Sequence, residues 1–246
     1  MTSSGQDTHV YTHLEELRKR LIITFASFLV ALVAAFLYAK PIYSWLVSDM
    51  DGKLTVLGPT DILWVYLMIS GVFALAVTIP VAGLQVWKFV RPALTPEERR
   101  AALGYIPALA VLFAAGIAFG YFVLFPMVLS FLKGMAQGQV ETMYTADKYF
   151  RFMLNLTLPF GLLFEMPVVV MFLTKIGILN PLRLAKMRKM AYFLLTVISI
   201  TITPPDFISD ILVIVPLLIL YEFSITLSKW VYRKQLAAAP AEVPQS

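Results

Sequence analysis

Glu165 stands inside the apolar segment Leu-Leu-Phe-Glu-Met-Pro-Val, about ten residues before Lys175. A carboxylate at that depth in a bilayer costs roughly 2.5–3.5 kcal/mol, so such a group is usually paired, protonated or in functional use. Pro159 and Pro167 bracket it and are expected to bend the helix and free nearby carbonyls. The residue reads as a binding point for a polar group on a partner helix, as a proton site, or as a structural hydrogen bond to another span. Asp210 and Glu222 lie twelve residues apart, a little over three helical turns, and so fall roughly along one helical face. That spacing reads either as a polar stripe turned toward a partner or as snorkelling to the interfaces.

Two further carboxylate groups lie in basic surroundings. Thr95-Pro96-Glu97-Glu98 has the pattern of a helix start, with Thr95 as N-cap and Pro96 at the first helical position. Its two carboxylates also make an acidic spot on a basic face, able to take guanidinium groups through bidentate, charge-assisted bonds. In His13-Leu14-Glu15-Glu16-Leu17-Arg18-Lys19-Arg20, leucines at 14, 17 and 21 mark an amphipathic helix at the membrane surface. Glu15 with Lys19 and Glu16 with Arg20 are i, i+4 pairs on its solvated face.

Several chemistries are excluded. There is no cysteine, and the two histidines, His9 and His13, precede the first apolar stretch, so neither a thiol centre nor a buried metal site is expected. Neither Gly-Xaa-Ser-Gly nor Gly-Xaa-Gly-Asp occurs, and no glycine-rich phosphate loop is present. No enzyme, cofactor or metal reading follows. The rival class is a proton- or solute-coupled secondary transporter using Glu165, Asp210 and Glu222. Such proteins often carry internal repeats with paired broken helices, and no matching halves are visible.

The elements that must position these groups are membrane helices. Only 14% of residues are charged, against about 25% in soluble domains. Using charges and turn formers as punctuation, six apolar stretches emerge: 21–39, about 62–87, 101–132, 152–174, 191–203 and 207–228. The first is too long for the apolar core of a cleaved leader and is read as a retained span. Of the twenty Lys and Arg residues, fifteen fall in the N-terminus, the second and fourth loops and the tail; five fall on the other side. That asymmetry places both termini in the cytoplasm. It also accounts for the net charge of +5 without nucleic acid. The expected fold is all-α: a single six-helix transmembrane domain over 1–234 with a disordered cytoplasmic tail, 235–246. The fifth span, about 13 residues, and the sixth, with only Ile211–Tyr221 purely apolar, are expected to be short. Such mismatch favours bilayer thinning or a partner helix, unless the bundle shields both spans from lipid.

Six pieces in this order resemble the C subunit of the twin-arginine protein translocase, the TatC family. They are His-Leu-Glu-Glu-Leu-Arg-Lys-Arg at 13–20, Gln85-Val86-Trp87-Lys88-Phe89 through Glu98-Arg99-Arg100, and Phe119-Gly120-Tyr121-Phe122 with Phe125-Pro126. The others are Phe164-Glu165-Met166-Pro167, Thr203-Pro204-Pro205-Asp206 and Tyr221-Glu222-Phe223. The resemblance implies a receptor in the bacterial plasma (inner) membrane that binds twin-arginine signal peptides of folded cargo at its cytoplasmic face. It implies energy from the proton-motive force and assembly, as a homo-oligomer in the family's manner, with single-span subunits of the TatA/TatB type. By position, Glu98 is the implied principal acceptor, with Glu15 contributing, Arg18 as the N-terminal motif arginine, and Phe89 and Leu94 shaping the loop. Glu165 matches the family's intramembrane glutamate, and Asp206 its external carboxylate. Thr203 and Asp210 fall where polar contact with partner helices is implied, and Glu222 belongs to the last motif.

Overall fold

Long apolar segments without water must satisfy their backbone groups internally, and a helix does so within one segment. The computed structural model describes residues 4–48, 54–93, 96, 99, 103–136, 143–204 and 206–238, with side chains from residue 14 onward except those of 93 and 238. Among the described residues the elements are α1 (Ser4–Leu37), α2 (Ala39–Leu46), α3 (Asp61–Val90), α4 (Tyr105–Phe119) and α5 (Phe125–Ala136). They continue with α6 (Ala146–Leu163), α7 (Met166–Lys175), α8 (Pro181–Lys186), α9 (Arg188–Ile202) and α10 (Phe207–Ala238). A 3₁₀ turn, Arg91–Ala93, closes α3, and a π-helical turn, Gly120–Leu124, joins α4 to α5. No strand forms among the described residues; Thr55 and Thr145 make one isolated parallel bridge.

Among the described residues five segments are long and apolar enough to cross a membrane: Leu14–Leu37, Asp61–Val90, Tyr105–Met135, Ala146–Lys175 and Phe207–Ala237. The fifth stretch of the sequence, α9, has 15 residues, or about 22 Å of helix, against about 30 Å of hydrocarbon. The sixth departs from expectation. As a helix it is not short, since α10 runs 32 residues and continues past Lys234 to Ala238. Its carboxylates do not interrupt it because each is bonded to a group on, or at the end of, α9, as set out below.

Prolines shape the spans unequally. Pro80 and Pro216 lie inside α3 and α10 without ending either helix. Pro159 likewise leaves α6 continuous, so the bend expected there is not a break. Pro167 is different: the helix stops at Leu163 and restarts at Met166. Pro126 explains the π turn. It has no N–H to offer Phe122, the turn before it widens, and the Phe125 N–H reaches back to the Gly120 carbonyl.

The chain divides into two compact units. Unit 1 holds residues 1–114 and 138–154. In it α1 and α2 pack on α3, and Val65, Ile69, Phe113 and Phe150 are buried. Tyr43 of α2 stacks on Phe150 with centroids 5.3 Å apart and meets Tyr66 edge-on at 5.8 Å. Asp61 orders the entry to α3, its carboxylate accepting from the N–H groups of Leu57 and Gly58 at 3.1 and 2.8 Å.

Unit 2 holds residues 115–137 and 155–246. Here α10 packs against α5, α7, α8 and α9, around Leu124, Val168, Val213, Leu217 and Ile225. Backbones also meet directly. Gly116 and Gly120 lie one turn apart, and an added Cβ would stand 2.5 Å from the Phe160 carbonyl oxygen and 2.7 Å from Thr157 Cα. Small residues at such a crossing let membrane helices approach closely and gain dispersion contact.

Candidate functional site

In unit 1 the groups of interest sit where α1 enters its apolar stretch and where α3 ends. The Arg20 guanidinium donates to Glu16 at 2.9 Å and to the buried Gln85 side chain at 3.3 Å. This ties the amphipathic turn of α1 to the last turns of α3. Of the two expected i, i+4 pairs, only Glu16–Arg20 closes among the described residues. Glu15 and Arg18 are exposed, and Phe89 is half-buried.

Beyond α3, Arg99 is bonded back to the end of that helix. Trp87 Nε1 donates to the Arg99 carbonyl at 3.3 Å, and Arg99 Nε donates to the Arg91 carbonyl at 3.1 Å. The Arg91 guanidinium lies 5.7 Å from the centre of the Trp87 ring, within cation–π range. Arg91 and Arg99 are thereby held at either end of the stretch that contains Leu94 and Glu98. Leu94, Thr95, Glu97 and Glu98 themselves lie outside the described residues. Gln85 is the group this arrangement adds: an uncharged side chain in an apolar run, with nothing local to mark it as the anchor of an arginine 65 residues away.

In unit 2 the intramembrane carboxylates fall into separate places. Glu165 is buried at the break between α6 and α7, directly before the turn that Pro167 opens. Glu222 is gripped by Arg188, whose Nε and second guanidinium nitrogen donate at 2.7 and 2.8 Å, and by the Tyr192 hydroxyl at 2.6 Å. An arginine side chain keeps its charge in proteins, so the pair is ionic. Twelve residues earlier, Asp210 accepts a short hydrogen bond from Thr203 Oγ1, while Ser199 Oγ donates to the Asp210 carbonyl at 3.4 Å.

Both carboxylates are thus bonded to the chain's own α9 or its end. Arg188 and Tyr192 hold Glu222, and Ser199 and Thr203 hold Asp210. Asp206 caps the start of α10, accepting from the Ser209 N–H at 2.7 Å. A fork of two parallel bonds cannot be reproduced by lysine or an uncharged residue. Arg188→Leu should accordingly lower the midpoint of thermal unfolding in detergent by a few degrees. Exchanging the partners, Arg188→Glu with Glu222→Arg, should recover part of that loss; no recovery would mean the pair is incidental.

No group of three or more metal-ligating side chains occurs among the described residues. What the arrangement offers is a basic surface with carboxylates, a buried glutamate at a helix break, and a polar helix pair.

Comparison with known proteins agrees with this architecture. The family model for the Sec-independent protein translocase protein (TatC) matches residues 12–216. TatCd of Bacillus subtilis (strain 168) is 64% identical over 231 residues, covering 94% of this chain and 96% of that protein. TatCy of the same organism is 46% identical, covering 94% and 92%. The crystal structure of a twin-arginine translocase receptor, TatC, superposes with a TM-score of 0.77 at 36% identity, covering 89% of this chain and 99% of that one. With most of its length matched in sequence and in fold, the chain belongs to the TatC family, the membrane-spanning protein translocase components of the Sec-independent pathway, which are not enzymes.

Proposed function

We propose that this chain is the core receptor of a twin-arginine translocase in a bacterial membrane, binding the signal peptides of folded cargo at its cytoplasmic face. In this reading residues 1–234 form one transmembrane domain with six spans, α9 being the fifth, and both termini are cytoplasmic. Residues 235–246 form a cytoplasmic tail, helical as far as Ala238. Glu98 accepts the arginine pair, with Glu15 beside it on α1. Arg18, Phe89 and Leu94 shape the surface, and Glu165 and Asp206 act within and beyond the membrane. Thr203 and Asp210 contact single-span TatA/TatB-type partners by exchanging the hydrogen bond they now make to each other. Glu222 keeps α9 and α10 together for that contact.

The observation that carries this reading is the tether of unit 1. Arg20 joins α1 to Gln85 of α3, and bonds from Trp87 to Arg99 and from Arg99 to Arg91 link residues that flank Glu98 in sequence. Family membership supplies the receptor role, and the tether supplies a rigid base for a carboxylate acceptor. Arginine suits it because its planar fork meets a carboxylate bidentately, whereas lysine is a point charge.

The test is the affinity of the purified full chain for a twin-arginine signal peptide and for its twin-lysine version. Hydrogen bonds to charged groups contribute about 1.5–3 kcal/mol each, so Glu98→Ala should weaken arginine-peptide binding by roughly 10- to 100-fold. The lysine peptide should bind weakly to both proteins. Unchanged affinity in Glu98→Ala would remove it as the acceptor.

A further inference from the structure

At one end of unit 2 three helix segments that are remote in sequence are held together. The hydroxyls of Thr174 and Ser228 lie 2.7 Å apart, joining α7 to α10. Gln235 donates to the Lys175 carbonyl at 2.7 Å, and the Tyr221 hydroxyl donates to the Leu184 carbonyl of α8 at 3.0 Å. These bonds set Lys175 beside the last turns of α10, which carry Lys229, Arg233 and Lys234, and set α8, with Arg183 and Lys186, along the same helix nearer Tyr221. From 166 to 238 the carboxylates are Asp206, Asp210 and Glu222. The first two lie at the other end of α10, and Glu222 is taken by Arg188. Among the described residues this end is cationic without an acidic counterpart.

Apolar groups accompany the cations. On and beside α8, Ile178, Leu182 and Met187 are exposed among Arg183 and Lys186. On α10 Trp230 is exposed, with the Lys234 ammonium 5.6 Å from its ring centre. Tryptophan is enriched at the headgroup level of a bilayer, and basic side chains there reach for anionic headgroups while their stems lie along apolar surface. A short helix carrying leucines between cations, with Ile178 just before it, fits the same level.

We propose that this end of unit 2, formed by α8 and the last turns of α7 and α10, is a binding site for an anionic phospholipid. Arg233 and Lys234 engage the headgroup phosphate, Arg183 and Lys186 add positive potential from α8, and Leu182 and Trp230 lie against the upper acyl chain. The occupant is a membrane lipid rather than a soluble anion, because the apolar groups lie beside the cations and a free phosphate would leave them uncovered.

Native mass spectrometry of the detergent-purified full chain, titrated with phosphatidylglycerol and phosphatidylcholine, tests this. The unaltered chain should retain phosphatidylglycerol several-fold better. Arg183→Gln/Lys186→Gln/Arg233→Gln/Lys234→Gln should abolish the preference, and Arg233→Gln/Lys234→Gln, on exposed final turns of α10, should reduce it with the fold intact. Lys40→Gln/Lys148→Gln, which removes the same charge from unit 1, should leave it unchanged. Equal retention of the two lipids by the unaltered chain overturns the proposal, as does an undiminished preference in the double α10 variant. An equal loss in the unit 1 variant would show a net-charge effect and overturn it too. Displacement of the lipid by millimolar inorganic phosphate would make this a soluble-anion site instead. Signal-peptide affinity, read separately on the same variants, should not change.

Discussion

Gly116→Ala should destabilise this protein although it adds a single methyl group in the middle of a helix. The new Cβ would stand 2.5 Å from the Phe160 carbonyl oxygen, 2.8 Å from Gly161 Cα and 2.9 Å from Phe164 Cβ. Two of these three are backbone atoms, so relief requires α4 to move away from α6. Overpacking of a tight contact costs about 1–3 kcal/mol, which for a chain of this size lowers the unfolding midpoint by about 2–4 °C per kcal/mol. Gly71→Ala is the matched comparison, since nothing lies within 4 Å of a Cβ built there. Alanine is favoured over glycine inside a helix by about 0.5–1 kcal/mol, so that variant should be as stable as the parent or slightly more so. Thermal unfolding in detergent reads both. Equal midpoints for the two variants would mean that the backbone crossing is not tight.

The second large effect concerns Glu165, and its two readouts should move apart. The residue is buried at the interruption ahead of Pro167, where an ionisable side chain in a span costs roughly 2.5–3.5 kcal/mol. If Glu165 serves transport, Glu165→Gln should leave the unfolding midpoint equal or higher while export of a twin-arginine cargo falls to a small fraction. Destabilising, function-serving groups behave this way when neutralised. A fall in stability with export tracking the amount of folded protein would instead assign Glu165 to a structural hydrogen bond. Loss of solute flux with export intact would favour a secondary transporter.

The class of the molecule was legible in its sequence for a simple reason. Apolar runs of about 20 residues have one solution in lipid, and Lys and Arg punctuate them. The odd groups were legible too, because Glu165, Asp210 and Glu222 stand out against uniform apolar surroundings. The helix interruption near Glu165 could be anticipated from Pro167, but not that Pro159 would be absorbed, since both remove one N–H and only packing decides which turn yields. Length was misjudged for the last helix. Asp210 and Glu222 looked like limits on its apolar core, while α10 passes both.

Partnership was decided only in three dimensions. Arg188 and Glu222 are 34 residues apart, and Arg20 and Gln85 are 65 apart; neither pairing has a local period to announce it. Gly116 and Gly120 show the same limit, since their spacing allows a close crossing but their partners Phe160 and Thr157 follow from how α4 is rotated against α6. Local sequence sets where a chain is helical and which residues are costly to bury. The rotation and register of one helix against another, which choose the group that meets each costly residue, emerge only when the helices pack.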